Sequence, residues 1–204
     1  MGILIDFLLK NHKRTGYLLV SILAAAILTA APNMLTVVES AAFKPDQVKA
    51  AFIYNLTNFV SLPEEKDDSN SSPYIITILG NRSLARNLKL LTRGESFKGR
   101  PFVVKHASNP EEVDSCQILF VDRSYESQLP ELLNQLTSRC MLTVGDTDSF
   151  LQAGGMVGLI SRKKRIQIIV NLEAARSCGI SFNSKLLRIA TIIENGSVPW
   201  RRSP

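Results

Sequence analysis

Residues 141–171 read MLTVGDTDSFLQAGGMVGLISRKKRIQIIVN, and their hydrophobic pattern decides the fold class. Residues 141–144 form a short, continuous apolar run followed by Gly145 and Asp146, as expected of a strand buried on both faces. Residues 156–161 and 166–171 are two further β-rich runs, separated only by Arg162, Lys163, Lys164 and Arg165. Four residues can close a hairpin but cannot make a crossover, so these two strands are expected to pair antiparallel. Gly154 and Gly155 let the backbone turn tightly into that hairpin, and Asn171 closes its second strand by bonding local backbone.

Upstream, apolar strands alternate with helical patterns. Tyr74–Leu79 and residues 102–106 and 117–121 (QILFV) read as strands; residues 84–91 and Leu129–Leu136 read as helices, and residues 111–114 as a helical turn. Crossover helices bury both sides of a parallel sheet, so this alternation predicts an α/β three-layer sandwich. Its sheet is mostly parallel, ends in the C-terminal antiparallel hairpin and carries helices on both faces. Residues 172–178 are expected to form a short helix ended by Gly179, and residues 184–193 a second one capped by Ser184. Residues 45–62 read as an amphipathic helix closed by Pro63, with Val48, Ala51, Phe52, Leu56, Phe59 and Val60 at helical intervals. Residues 64–73 (EEKDDSNSSP) are a solvated loop, and residues 196–204 a frayed tail.

The first forty residues belong elsewhere. Lys10, His12, Lys13 and Arg14 form a basic cluster ahead of YLLVSILAAAILTAA at 17–31. Spanning a bilayer takes about 20 apolar residues, so this run fits a secretion signal better than a membrane span. Ser40-Ala41-Ala42 offers small residues for processing, which predicts a signal peptide at 1–42 and one domain at 43–204; an uncleaved anchor is the alternative.

The chain has 204 residues, 45% of them hydrophobic and 21% charged, a composition that supports a packed core. Its 24 Lys and Arg against 18 Asp and Glu give a net charge of +6, and the chain stays net basic without residues 1–42. An exported protein does not meet the chromosome, and no aromatic-interleaved basic groove is present, so nucleic acid is not an expected partner. Two histidines and three cysteines are too few for a histidine-rich metal centre or a disulfide-dense scaffold. No cofactor, metal or catalytic group is expected.

Individual motifs support that reading. Gly94 and Gly99 have the glycine spacing of a phosphate-binding loop, but Arg100 and Pro101 stand where Lys and Ser or Thr are needed, so the stretch reads as a turn. Asp122, Asp146 and Asp148 follow strands at the end where open α/β sheets place their sites, yet no acidic pair follows the first strand at Gly80-Asn81-Arg82. They read as loop-capping carboxylates. His106 is the lone histidine after residue 42, and it reads as a strand-end residue without a GxSxG elbow or metalloprotease motif beside it.

Cys116 and Cys140 each precede a core strand, with Asp at the same offset behind. If those strands are neighbours in that register, the two α-carbons lie roughly 5 Å apart and a bridge is within reach, worth about 3–4 kcal/mol in the chain-entropy picture. Cys178 then reads as a small buried residue, with a reactive thiol as the alternative. Arg162-Lys163-Lys164-Arg165 is the densest charge after residue 42. A solvated, edge-protecting hairpin tip is its default role, and docking to an acidic partner or anionic lipid its sharper one.

Three stretches together resemble the YfiR-like periplasmic proteins: residues 48–60 (VKAAFIYNLTNFV) followed by Leu62-Pro63, residues 141–161, and residues 166–191 (IQIIVNLEAARSCGISFNSKLLRIAT). The likeness runs from about Val48 to Ile193. Leu62-Pro63 stands where the family commonly has Trp-Pro, and the first core strand carries Ile75 and Ile76 with no cysteine. The resemblance implies a periplasmic repressor that binds the periplasmic region of a YfiN-like inner-membrane diguanylate cyclase, lowering cyclic di-GMP and restraining biofilm. It further implies sequestration by an OmpA-like outer-membrane lipoprotein and sensitivity to redox state; a homodimer is compatible with it. Two other classes stay open on the residues alone: a periplasmic small-metabolite sensor using the strand ends near Asp122 and Asp146, and an exported thiol enzyme using Cys178.

Overall fold

The computed structural model describes residues 44–63, 72–136 and 140–194. The expected leader at 1–42, most of the 64–73 loop and the 196–204 tail lie outside the described residues. No helix among the described residues is long and apolar enough to cross a membrane.

Helix α1 (Pro45–Leu56) opens with a proline at its first turn and leads into the short strand β1 (Val60–Ser61). Strand β2 (Tyr74–Leu79), helix α2 (Arg82–Leu91), the short β3 (Ser96–Phe97) and β4 (Arg100–Ala107) follow. Then come β5 (Ile118–Val121), α3 (Leu129–Leu136), β6 (Leu142–Gly145), α4 (Asp148–Gln152) and the hairpin of β7 (Val157–Arg162) and β8 (Arg165–Asn171). Helix α5 (Leu172–Ser177), β9 (Ser181–Phe182), α6 (Ser184–Ile189) and β10 (Thr191–Ile193) close the described chain.

Among the described residues eight strands form one sheet in the order β10-β8-β7-β6-β5-β2-β4-β3. Strands β4, β2, β5, β6 and β7 run parallel, β7 and β8 pair antiparallel, and β3 turns back on β4. Strands β1 and β9 make a separate antiparallel pair. This is the mixed, mostly parallel α/β sheet with a C-terminal antiparallel pair that the apolar pattern predicts.

The continuous apolar strands supply two cores at once, because successive side chains leave a strand on opposite faces. Tyr74, Ile76, Ile78, Ile118, Phe120, Leu142, Val144, Val157, Leu159, Ile168 and Val170 enter one buried cluster. It is covered by Ala50, Ile53 and Leu56 of α1, Leu84 and Leu88 of α2, Ala175 of α5 and Leu186 of α6. The intervening Leu79, Leu119, Val121, Ile160 and Ile169 enter the second, covered by Leu129, Leu132, Leu133 and Leu136 of α3 and by Phe150 and Leu151 of α4.

Several local expectations shift. The predicted helix over 184–193 stops at Ile189, and Thr191–Ile193 becomes an edge strand parallel to β8, with Thr191 opposite Ile169. Three β-branched residues favour a pleated surface over a helix, and Ile193 is buried there. The α6 cap is Asn183 rather than Ser184; its side chain accepts from the Lys185 N–H at 2.6 Å. The buried seam of α1 is Lys49, Ala50, Ile53 and Leu56, a rotated version of the expected face. Gly154 has φ +99°, as a turn requires, whereas Gly155 is needed for space: a Cβ there would sit 2.1 Å from the Phe150 ring. A Cβ at Gly145 would meet the same ring at 2.3 Å, so the pair of glycines forms a slot for one aromatic side chain.

Candidate functional site

The hairpin tip is tighter than four residues. Arg162 and Arg165 pair across the ladder, leaving only Lys163 and Lys164 in the turn, at φ +47° and +61°. Two-residue hairpins with both central residues left-handed match the strand twist, and Asn and Gly occupy them at little cost. Lysines there are strained by about 1–2 kcal/mol each. The tip thus carries two charged residues in a backbone conformation that disfavours them. Arg162 is anchored: its Nη2 donates to both carboxylate oxygens of Asp148 at 2.9 Å.

Beside the tip lies an open groove of about 670 Å³ floored by Phe52, Ile166, Ile168 and Ile189 and edged by Arg162 and Arg165. Ile189 is 68% exposed and Ile192 40% exposed, although both are large and apolar. β10 is the outermost strand on this side of the sheet. An apolar floor with a basic rim suits a protein surface carrying acidic and apolar groups.

The strand-end carboxylates are occupied by the fold. Asp122 Oδ2 accepts from the Ser124 N–H at 3.0 Å and caps a 3₁₀ turn over Arg123–Gln128. Asp146 is 3% exposed; its Oδ2 accepts from Lys49 Nζ at 2.6 Å and from Arg123 Nη2 at 3.2 Å. Asp148 holds Arg162. Sequence reasoning missed both Lys49 and Arg123. The available signal was that Lys49 shares a helical stripe with Ile53 and Leu56, a face that must be buried.

The glycine-spaced stretch 94–99 is a hairpin, with Lys98 at φ +51° and Gly99 at φ +78° between β3 and β4. Arg100 is buried; its Nε donates to the Ser72 carbonyl at 2.6 Å and its Nη2 to the Pro73 carbonyl at 3.1 Å. His106 sits near the end of β4, with Nε2 3.4 Å from the Gly80 carbonyl. Tyr125 hydroxyl donates to the Ser108 carbonyl, and burial, then the nearby Glu112, Glu111 and Asp122 charges, pushes its pKa above 10.0.

The three cysteines fall on both sides of the sheet. Ile118 does pair with Leu142, so Cys116 and Cys140 occupy matching positions ahead of β5 and β6, but all three cysteines are thiols. Cys116 lies in the cluster under α3, its Sγ 3.7 Å from Met141 Sδ. Cys140 has a left-handed backbone at φ +45° and is exposed, and Cys178 belongs to the opposite cluster. Burial, and next the Cys140 thiol, raise the Cys178 pKa above 9.0.

Comparison with known proteins adds fold and family. A conserved domain protein from Vibrio cholerae O1 biovar El Tor str. N16961 is similar in structure at a TM-score of 0.51 and 15% identity, over 72% of this chain and 60% of that one. The ABC domain in complex with L-Trp from Streptococcus pneumoniae is similar at a TM-score of 0.51 and 12% identity, over 73% of this chain and 60% of that one. The chain thus spans about three fifths of each of these structures, and at such identities the likeness concerns the fold alone. No curated protein matches the chain. A family model described as YfiR/HmsC-like matches residues 46–191, and the chain belongs to this family.

Proposed function

We propose that this protein is exported by its 1–42 leader and represses an inner-membrane diguanylate cyclase by contact with the enzyme's periplasmic region, lowering cyclic di-GMP and biofilm formation. It acts as a binding protein, not an enzyme. Its docking surface is the tip formed by Arg162, Lys163, Lys164 and Arg165 with the adjoining apolar groove. An OmpA-like outer-membrane lipoprotein competes for the repressor and relieves inhibition.

Family membership supports the regulatory class. The observation that carries the surface is the strained pair Lys163 and Lys164, held at positive φ beside exposed Ile189. Binding energy at such a surface acts by favouring one of two cyclase states. Rim charges raise encounter rates and add salt dependence, and the apolar floor supplies burial.

The test is charge reversal. Purified K163E/K164E/R165E protein and the unaltered protein are compared for affinity to the cyclase's periplasmic region at low and high salt. Both are also expressed in a deletion strain whose cyclic di-GMP is measured. Weaker binding, a flatter salt dependence and raised cyclic di-GMP are expected. Unchanged affinity at both salts removes the tip from the interface, and an unchanged cyclic di-GMP level on deletion of the gene sinks the repressor reading itself.

A further inference from the structure

We propose that the outward face of α2 is a docking surface for an anionic lipid bilayer, with Arg82, Arg86 and Lys89 on the phosphate headgroups and Leu90 at the acyl boundary. Helix α2 buries Leu84, Ala85 and Leu88 against the sheet. Helical spacing then gathers Arg82, Arg86 and Lys89 within an arc of about 60° away from that seam, with Leu90 beside Arg86. All three basic residues are exposed, and exposed Arg93 continues the charge just past the helix. Leu90 is 58% exposed and Leu91 44%, although both are large and apolar.

The charge on this face is unbalanced. The α2 sequence RSLARNLKLL holds no Asp or Glu, and none of the four basic residues makes an ion pair among the described residues. A solvated helix face gains from opposite charges three or four residues apart; Arg82, Arg86 and Lys89 stand at those intervals with like charge and repel. Arg82 also sits at the positive end of the helix dipole. Asp46, which accepts from Asn81 Nδ2 at 3.2 Å, and Glu95 flank the two ends of α2, and the face between them stays positive. An anionic layer laid along α2 removes the repulsion and covers Leu90. Basic side chains beside exposed leucines on one convex helix are what an interfacial helix presents. A protein partner would need a matching groove with acidic walls, whereas a headgroup layer fits the ridge without one.

This surface is separate from the hairpin tip. Helix α2 packs over β2 and β4, and β5 and β6 lie between those strands and the β7–β8 hairpin. A bilayer on α2 and a protein on the tip therefore use different residues. Meeting such a bilayer in the cell rests on the export reading; the binding itself does not.

Phe43–Pro204 is a compact unit that contains both buried clusters, and it is tested without the apolar 17–31 run, which would carry lipid affinity of its own. It is sedimented with phosphatidylcholine vesicles, with and without phosphatidylglycerol, at low and high salt. Binding is expected only to the phosphatidylglycerol vesicles and should weaken with salt. It should fall roughly fivefold for each neutralised charge, on the order of a hundredfold for R82Q/R86Q/K89Q, and roughly tenfold for L90Q. Glutamine keeps the helix propensity of the residues it replaces, and unchanged urea midpoints show that the variants are folded. Equal binding to both vesicle types, binding that survives R82Q/R86Q/K89Q, or binding lost only in K163E/K164E/R165E overturns the proposal. Absence of binding to either vesicle type also overturns it and leaves the face to an acidic protein. Because no cyclase is present, each of these outcomes leaves the repressor reading untouched.

Discussion

Lys49 Nζ and Asp146 Oδ2 meet at 2.6 Å across 97 positions of sequence, and both residues are almost fully buried, at 4% and 3% exposure. The pair ties the first half of α1 to the carboxyl end of β6. Arg123, whose side chain is 60% exposed, adds a second positive charge to the same oxygen from outside. Two charges withdrawn from water are stable only together, since each alone would carry a large desolvation cost.

Breaking that pair from one side should therefore cost more than removing both charges. K49M is expected to destabilise by about 3–5 kcal/mol, and K49M/D146L by less than K49M alone. Urea unfolding of the single and double variants measures this; a double variant weaker than K49M would show that the pair is not the coupling element.

Phe150 occupies the slot between Gly145 and Gly155, so side chains added at either glycine must push the ring out. G155A should destabilise by about 1–3 kcal/mol, as overpacking does. In an F150A background the same substitution should cost much less, because the atoms it would strike are gone. Equal costs in both backgrounds would mean that Gly155 is required for its backbone alone.

The lysines of the hairpin turn set stability against binding. K163N/K164G places residues suited to left-handed conformation at both positions and should stabilise the fold by about 1 kcal/mol or more. The same substitution should weaken partner affinity and reduce its salt dependence, because two rim charges are lost. A variant that binds as well as the original, with the same salt dependence, would show that the lysines are not part of the docking surface.

Stability should fall in alkali. Cys178 and Tyr125 both have pKa values raised in the folded protein, by burial first, above ordinary values of 9.0 and 10.0. At a pH above 9 the unfolded chain releases these protons before the folded one does. The folded state then holds more protons, so the contribution of Cys178 is complete below pH 9 and declines as pH rises toward its folded pKa; Tyr125 follows from 10 upward. Denaturation midpoints recorded from pH 7 to 11 should decline, and C178A and Y125F should each flatten the decline within its own window. Parallel slopes for all three proteins would count against the assignment.

The architecture was largely legible because its strands are unbroken apolar runs. Ile118-Leu119-Phe120-Val121 cannot face water on either side, and such strands alternating with helices leave few arrangements besides a covered parallel sheet. Short elements were not legible. β1, β3 and β9 have two residues each and exist through their partners, and the β10 segment Thr191-Ile192-Ile193 continued a helical pattern until Ile169 stood beside it. The cysteines were legible in part: matching offsets in sequence put Cys116 and Cys140 at neighbouring strand starts, while the left-handed backbone at Cys140 has no signature in the sequence.

Composition and pattern thus determined the covered α/β sheet, the antiparallel hairpin and the basic residues at its tip, all of which follow from local periodicity. Only tertiary structure decided that Lys49 is buried on Asp146, that Lys163 and Lys164 alone form the turn, and that Ile189 stands exposed beside them. Hydrophobic period sets which face of an element is buried; which polar group meets which depends on register, helix rotation and backbone handedness, and those are settled between elements far apart in the chain.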